Sequence, residues 1–406
     1  MKVLEINSCN FGSTGNIMLQ IADAARAQGY TVITSCPKSR SNKRKNVDNQ
    51  LFIGNLLTRN LHLKLAYLTG LNGCFSFIST LCFLRKVNKL KPDLIHLHNL
   101  HNCYINLPLL FRYIKRNHIP VIWTLHDCWS FTGQCPYFTM AKCIKWKTGC
   151  KDCPSFNEYP RSLIDQTKIM WKLKKKWFTG VEDMTIVTPS RWLADLVKQS
   201  YLSEYSINVI NNGIDTSVFK PTKSKFKMMH GLKNKYLVLG VAFGWGDRKG
   251  YKDCLKLAEI LDDNYQMVLV GVTKDQIKFL PNNILGIEQT SSQKELAEIY
   301  SASDIFINTT YEDNYPTVNL EARACGLQVI TYKTGGSPES AGENAVVVET
   351  GDIIGLKYAI EKCIQDKDNN TLKTIKFNLS KISADSKFME YISIYDSINK
   401  KKCKCF

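Results

Sequence analysis

Short apolar runs and helically spaced apolar positions alternate along the whole chain. Residues 3–6 read as a buried strand, and Asn10-Phe11-Gly12-Ser13-Thr14-Gly15-Asn16 as a turn-rich loop. Beyond it Ile17, Leu19, Ile21, Ala22 and Ala25 fall close to helical spacing, Gly29 marks a stop, and residues 31–34 resume as a strand. Residues 94–98 and 121–125 are strands on either side of a helical 107–116, and residues 185–188 form another. Strands alternating with helices predict parallel βαβ units in a doubly wound sheet.

A second series of the same kind follows the turn Asn211-Asn212-Gly213. Pro221 and the polar, basic residues 220–235 read as a linker-like surface segment. Strands at 236–241, 267–271, 304–308 and 328–331 then alternate with helices at 251–261, 294–302 and 318–324. The fold expected is α/β, two doubly wound Rossmann-like domains facing across a cleft. The first is expected over 1–200 and the second over 205–380, with a C-terminal helix near 380–400 packing back on the first. Ligands of open α/β sheets sit outside the carboxyl ends of the strands, and a cleft between domains is a usual place for a small molecule.

A chain of 406 residues suits two such domains, and 44% apolar with 22% charged residues suits a globular protein. The net charge of +18 draws anionic partners without choosing among phosphates, nucleic acid and acidic membrane. Basic residues concentrate at 38–45, at Trp171-Lys172-Leu173-Lys174-Lys175-Lys176-Trp177-Phe178 and at 400–404. The flanking indoles give the second run the composition of a headgroup-facing segment. The first residues read as a strand and not as a secretion signal, and the 15 scattered cysteines fit reduced thiols in a cytosol. The apolar stretch near residues 74–84 is too short to span a bilayer.

The densest chemistry lies in Thr309-Thr310-Tyr311-Glu312-Asp313-Asn314-Tyr315-Pro316-Thr317-Val318-Asn319-Leu320-Glu321-Ala322, which follows a strand and opens a helix. A helix start suits phosphate binding, whereas the carboxylates of Asp313 and Glu321 suit sugar hydroxyls. A ribose and a hexose joined through a diphosphate would use all three. Arg248-Lys249-Gly250, after the strand at 236–241, is a candidate anion site.

The block at 309–322 resembles the Glu-x7-Glu motif of retaining GT-B glycosyltransferases of family 4, with Asp313 in place of the first glutamate. The continuation 324–330 and the turn Thr334-Gly335-Gly336-Ser337-Pro338-Glu339 fit the same family, and the likeness is closest to bacterial enzymes of surface-polysaccharide assembly. The resemblance implies transfer of a sugar from a UDP- or GDP-sugar to an acceptor hydroxyl with retained configuration. Glu321 would hold the ribose, Asp313 the transferred sugar, and Asn314, Tyr315, Pro316 and Thr317 would line the donor. Lys249 matches the family's diphosphate lysine, while the family's arginine falls on Phe243; Arg248 stands nearby. Gly12 and Gly15 match a loop that closes over the donor, and His126 matches a histidine beside the reacting sugar. His126, Asp313 and Lys249 are thus the expected catalytic residues, and no cofactor is required. The acceptor expected is a lipid-linked saccharide or oligosaccharide, met at an anionic membrane by a cytoplasmic, peripheral protein.

Two groups stay open. His96, His98 and His101 could hold a metal, contact an acceptor or pack as polar core. Cys135, Cys143, Cys150 and Cys153 could bind a structural zinc, form disulfides or remain free thiols. Two other functions also compete: another GT-B enzyme, an epimerase or disaccharide synthase, and a non-enzymatic basic binder. No RNP-like signature appears, so nucleic acid is not the expected partner.

Overall fold

The computed structural model describes residues 1–39, 42, 49–369 and 379–404, the side chains of 402–404 excepted. Arg40, Ser41, Lys43, Arg44 and Lys45 of the first basic run, and the side chains of Lys402, Cys403 and Lys404 of the tail run, lie outside the described residues. The chain forms two compact units, Met1–Ile210 with Phe388–Phe406, and Asn211–Lys387.

In the first unit, strands β1 (Lys2–Ile6), β2 (Thr31–Pro37), β3 (Gln50–Ile53), β4 (Leu94–Leu97), β5 (Val121–Thr124), β6 (Met184–Thr188) and β7 (Ser206–Val209) form one sheet in the order β3-β2-β1-β4-β5-β6-β7. Every pairing is parallel. The order reverses between β1 and β4, so the switch point lies where their carboxyl ends meet. The last helix, Ala384–Lys404, brings Phe388, Tyr391, Ile392 and Tyr395 into this unit as buried side chains.

The second unit repeats the plan with β8 (Tyr236–Val241), β9 (Tyr265–Val270), β10 (Ile284–Ile287), β11 (Ile305–Asn308), β12 (Gln328–Tyr332) and β13 (Val346–Val348), in the order β10-β9-β8-β11-β12-β13. Its switch point falls between β8 and β11. Alternate residues of these strands feed separate cores on the two faces: Val238, Met267, Leu269, Ile305 and Ile307 on one, Leu237, Leu239, Val268, Val270 and Phe306 on the other. Burial on both faces explains why each strand reads as an unbroken apolar run.

Three local expectations change. The first helix begins at Gly12, so Gly12–Asn16 is its first turn and not a separate loop. Residues 220–235 are not a bare linker: Phe226–Met229 is helical, and Phe226 and Leu232 pack against the second unit's core. The run around Trp171 and Trp177 lies on the helix Thr167–Phe178 with its indoles turned inward. Trp171 is buried and donates its indole N–H to the Trp146 carbonyl at 2.8 Å, and Trp177 packs against the core. Lys174 is fully buried, bonded to the carbonyls of Trp129 and Thr132 and lying 3.6 Å over the Trp129 ring. Trp171 and Lys174 thus belong to the core, while Lys172, Lys175 and Lys176 stay exposed.

Candidate active site

In the second unit, the loops after β8 and β11 meet at the switch point. Gly250 sits at φ +70°, and a Cβ there would stand 2.1 Å from the Thr309 carbonyl oxygen, so only glycine lets the loops approach so closely. Across this contact Tyr311 N–H donates to the Arg248 carbonyl at 2.8 Å, and the Arg248 guanidinium donates to the Glu312 carbonyl at 2.9 Å. Lys249 Nζ bonds Asp313 Oδ2 at 2.5 Å, a charge-assisted pair between half-buried side chains. The 334–336 turn closes the other side: Gly336 N–H donates to the Asp313 carbonyl at 3.1 Å, and a Cβ on Gly335, at φ +53°, would stand 2.0 Å from that oxygen.

The helix Thr317–Ala324 starts at Pro316 without a side-chain cap, and of its first-turn donors the Asn319 N–H turns back to the Pro316 carbonyl at 3.3 Å. Glu321 lies one turn in and accepts from the Tyr300 hydroxyl at 3.0 Å. Burial, opposed by hydrogen bonds from Tyr300 and Thr317, lifts its carboxyl to about 7. Asn319 anchors the helix, accepting from Asn308 at 2.8 Å and donating to Ser340 Oγ at 2.8 Å.

Of the candidates here, Asp313, Lys249 and Arg248 are brought together, while Glu321 stands on the adjoining helix. Asn314, Tyr315 and Pro316 are buried, so they offer backbone more than side chain to a ligand. Of the two neighbouring acids, Glu312 is buried and Asp313 is the one reaching Lys249. Phe243 is fully exposed and contributes no cation, whereas Lys249 and Arg248 both reach the loop after β11.

In the first unit, Gly12 and Gly15 open the helix after β1. A Cβ on Gly15 would press to 2.7 Å from the Asn10 backbone, and Asn7 ties strand to helix by donating to the Thr14 carbonyl at 3.1 Å. His126 follows β5, its Nε2 3.1 Å from His98 Nδ1. Burial above all, with repulsion from His98, drops the His126 imidazole to about 3, and burial drops His98 to about 3. His101 does not join them: it bonds Asp127 at 2.9 Å and the Tyr159 hydroxyl at 2.9 Å. Sequence reasoning passed over Glu5, a wholly buried acid beneath His98; the lone carboxylate inside the apolar run Val3-Leu4-Glu5-Ile6 was its signal.

Cys135, Cys143, Cys150 and Cys153 line one cavity of about 10 Å³, and Cys150 Sγ accepts the Gly133 N–H at 3.1 Å. No disulfide joins them. Among the described residues, the group whose three candidate ligand atoms lie within 4.8 Å of one another is Glu5, His96 and His98, and it contains no cysteine.

Comparison with known proteins bears on the family and the fold. WcaC of Escherichia coli strain K12, named for glycosyl transfer in colanic acid biosynthesis, is 28% identical over 61% of this chain and 62% of its own length. The N,N'-diacetylbacillosaminyl-diphospho-undecaprenol alpha-1,3-N-acetylgalactosaminyltransferase of Campylobacter jejuni is 24% identical over 51% of this chain and 58% of its own length. The chain thus spans less than two thirds of either relative. Among solved structures, sucrose-phosphate synthase of Thermosynechococcus elongatus superposes with a TM-score of 0.71 at 16% identity, covering 98% of this chain and 99% of that one. Anabaena HepE, solved with UDP-glucose, superposes with a TM-score of 0.69 at 15% identity, covering 98% and 100%. These likenesses establish the two-domain GT-B fold. Residues 224–378 match the family Glycosyl transferases group 1, and residues 14–218, half of the chain, match Glycosyltransferase Family 4. The chain belongs to glycosyltransferase family 4.

Proposed function

We propose that this protein transfers a sugar from a nucleoside-diphosphate sugar to an acceptor hydroxyl, with retained configuration, in the assembly of a cell-surface polysaccharide. The observation that carries the reading is the Lys249–Asp313 pair at the carboxyl ends of β8 and β11, with Glu321 one helical turn away. The ammonium suits a diphosphate and the two carboxylates suit sugar hydroxyls. On donor binding Lys249 exchanges Asp313 for the diphosphate, which leaves Asp313 to accept from the transferred sugar and Glu321 from the ribose. As the glycosidic bond to the diphosphate breaks, the leaving group gains negative charge, and Lys249 with the first-turn N–H groups of the helix Thr317–Ala324 stabilises it. His126 is the catalytic candidate that the first unit contributes to this reading.

The names of two relatives, one in colanic acid biosynthesis and one acting on an undecaprenol-linked saccharide, support a lipid-linked saccharide acceptor. No helix among the described residues is long and apolar enough to cross a membrane. Exposed Leu57 and Leu61 on the helix Leu56–Thr69 and Phe77 and Ile78 on the helix Phe77–Leu90 offer an apolar surface for such an acceptor's membrane. The helices are tied by a 2.8 Å hydrogen bond between His62 and Ser76. Thermal denaturation with UDP-glucose, UDP-N-acetylglucosamine and GDP-mannose tests the donor assignment. A matching donor at about 100 times its Kd adds roughly 2.7 kcal/mol of stability. No shift with any nucleotide sugar would sink the reading.

A further inference from the structure

A line of polar side chains runs through the otherwise apolar core of the first unit and ends at His126. At its inner end Glu5 is wholly buried on β1. Tyr395 donates its hydroxyl hydrogen to Glu5 Oε1 at 3.1 Å. A tyrosine has one such hydrogen, so the 2.7 Å contact between His96 Nδ1 and the Tyr395 oxygen is a donation from His96. His96 Nε2 then accepts from Thr124 Oγ1 at 2.8 Å, which takes the threonine's one hydrogen in preference to the longer 3.5 Å contact with the Tyr391 hydroxyl. This branch is closed.

The other branch is not. Glu5 Oε2 and His98 Nε2 are both buried without a hydrogen-bond partner, and they face each other at 3.8 Å. His98 is held in place by its backbone, which donates to Ile6 and accepts the Trp123 indole N–H, and by its stacking on His96 with centroids 4.3 Å apart. Its Nδ1 is 3.1 Å from His126 Nε2. Two unpartnered buried polar atoms aimed at each other are satisfied by one proton shared between them, after a closure of about 1 Å.

We propose that Glu5 and His98 are positioning residues for His126: the Glu5 carboxylic acid donates from Oε2 to His98 Nε2, His98 donates from Nδ1 to His126 Nε2, and His126 is held as the Nδ1–H tautomer. No bond to carbon changes, and each donor keeps its own hydrogen. His126 then carries its one hydrogen at a fixed ring nitrogen, the state its catalytic role needs, which rests on the function proposed above. Burial, set against hydrogen bonding from Tyr395 and the charge of Arg26, lifts Glu5 to about 8, in keeping with an acid at neutral pH. The other titratable groups facing the line are His96, Tyr391, Tyr30, Asp23 and Asp396 at its inner end, and Asp127 and His101 beside His126.

The test uses the full chain with 15N-labelled histidine and long-range 1H–15N spectra, with His126 assigned through His126→Gln. The wild type is expected to show His126 protonated on Nδ1 alone. Glu5→Gln, whose amide can still donate to His98, retains that signature; Glu5→Leu gives a tautomer mixture, with kcat at least tenfold below Glu5→Gln and an unchanged donor KM. If Glu5→Leu does not fold, His98→Asn, whose amide replaces Nδ1, retains the signature where His98→Phe loses it. An Nε2–H His126 in the wild type, or a Glu5→Leu spectrum identical to it, overturns the proposal, as does one tightly bound metal ion per chain. Absence of sugar transfer by the wild type with the tautomer result intact would instead remove the enzymatic reading alone.

Discussion

Tyr300 donates its hydroxyl hydrogen to Glu321 Oε2 at 3.0 Å, from the helix Gln293–Ala302 to the helix that opens at the candidate donor site. The bond occupies one carboxylate oxygen and fixes the rotamer, so the acid can present its remaining capacity to a ligand. Because burial lifts Glu321 to about 7, its ability to accept from a ribose diol is present above that pH and fades below it. UDP-glucose affinity, measured by calorimetry, is expected to weaken as pH falls from 8 to 6. Glu321→Gln should weaken binding by about tenfold at pH 8, roughly 1.4 kcal/mol, and flatten the pH dependence. A variant that binds as tightly as the wild type at both pH values would remove the ribose role.

Lys249→Met removes the cation from the 2.5 Å pair with Asp313. A preorganised charge aimed at a leaving group contributes roughly 10²–10³ in kcat, about 3–4 kcal/mol. Steady-state kinetics should show that loss mainly in kcat; a change confined to KM would place Lys249 outside the transition state.

Gly335→Ala puts a Cβ at φ +53° and 2.0 Å from the Asp313 carbonyl, so the loop carrying Asp313 must move. The expected cost is ~2–4 kcal/mol in chemical denaturation, together with loss of activity. Gly29→Ala is the control: its φ is +82°, but nothing lies within 4 Å of the added carbon, so only about 1 kcal/mol is at stake. Equal effects of the two changes would show that the close approach at Gly335 is unimportant.

Glu5→Gln should stabilise the protein more as pH rises. The folded carboxyl titrates near 8 against about 4.5 unfolded, so between those values the folded state binds more protons than the unfolded one. Stability of the wild type therefore falls with rising pH across that window, by on the order of 4 kcal/mol, while glutamine loses nothing. Urea midpoints of the pair should coincide near pH 4 and separate by pH 8; a constant difference would mean that Glu5 is already ionised.

Much of the strand layout was legible because parallel strands buried on both faces leave continuous apolar runs such as Leu237-Val238-Leu239 and Ile305-Phe306-Ile307. The helix Leu56–Thr69 was not, since it buries only His62 and Ala66 and scatters leucines over its outer face, erasing the periodicity. Asp313, Glu321 and Lys249 could be singled out as residue types beside strand ends. Their pairing could not, because Lys249 and Asp313 are 64 residues apart and meet only through the glycine contact at Gly250. The inward Lys174 could not be told from its exposed neighbours Lys172, Lys175 and Lys176: lysine composition says nothing of where two backbone carbonyls wait for an ammonium.

The placement of Tyr395 has a consequence for how the chain is made. Glu5 and His96, on the first and fourth strands, take hydrogen-bond partners from a helix that follows the whole second unit. A ribosome that has released residues 1–210 has released a sheet whose buried acid still lacks its phenol. The first unit gains this partner only once residue 395 is made, just after the last residue of the second unit, so its core is completed by chain synthesised long after its sheet.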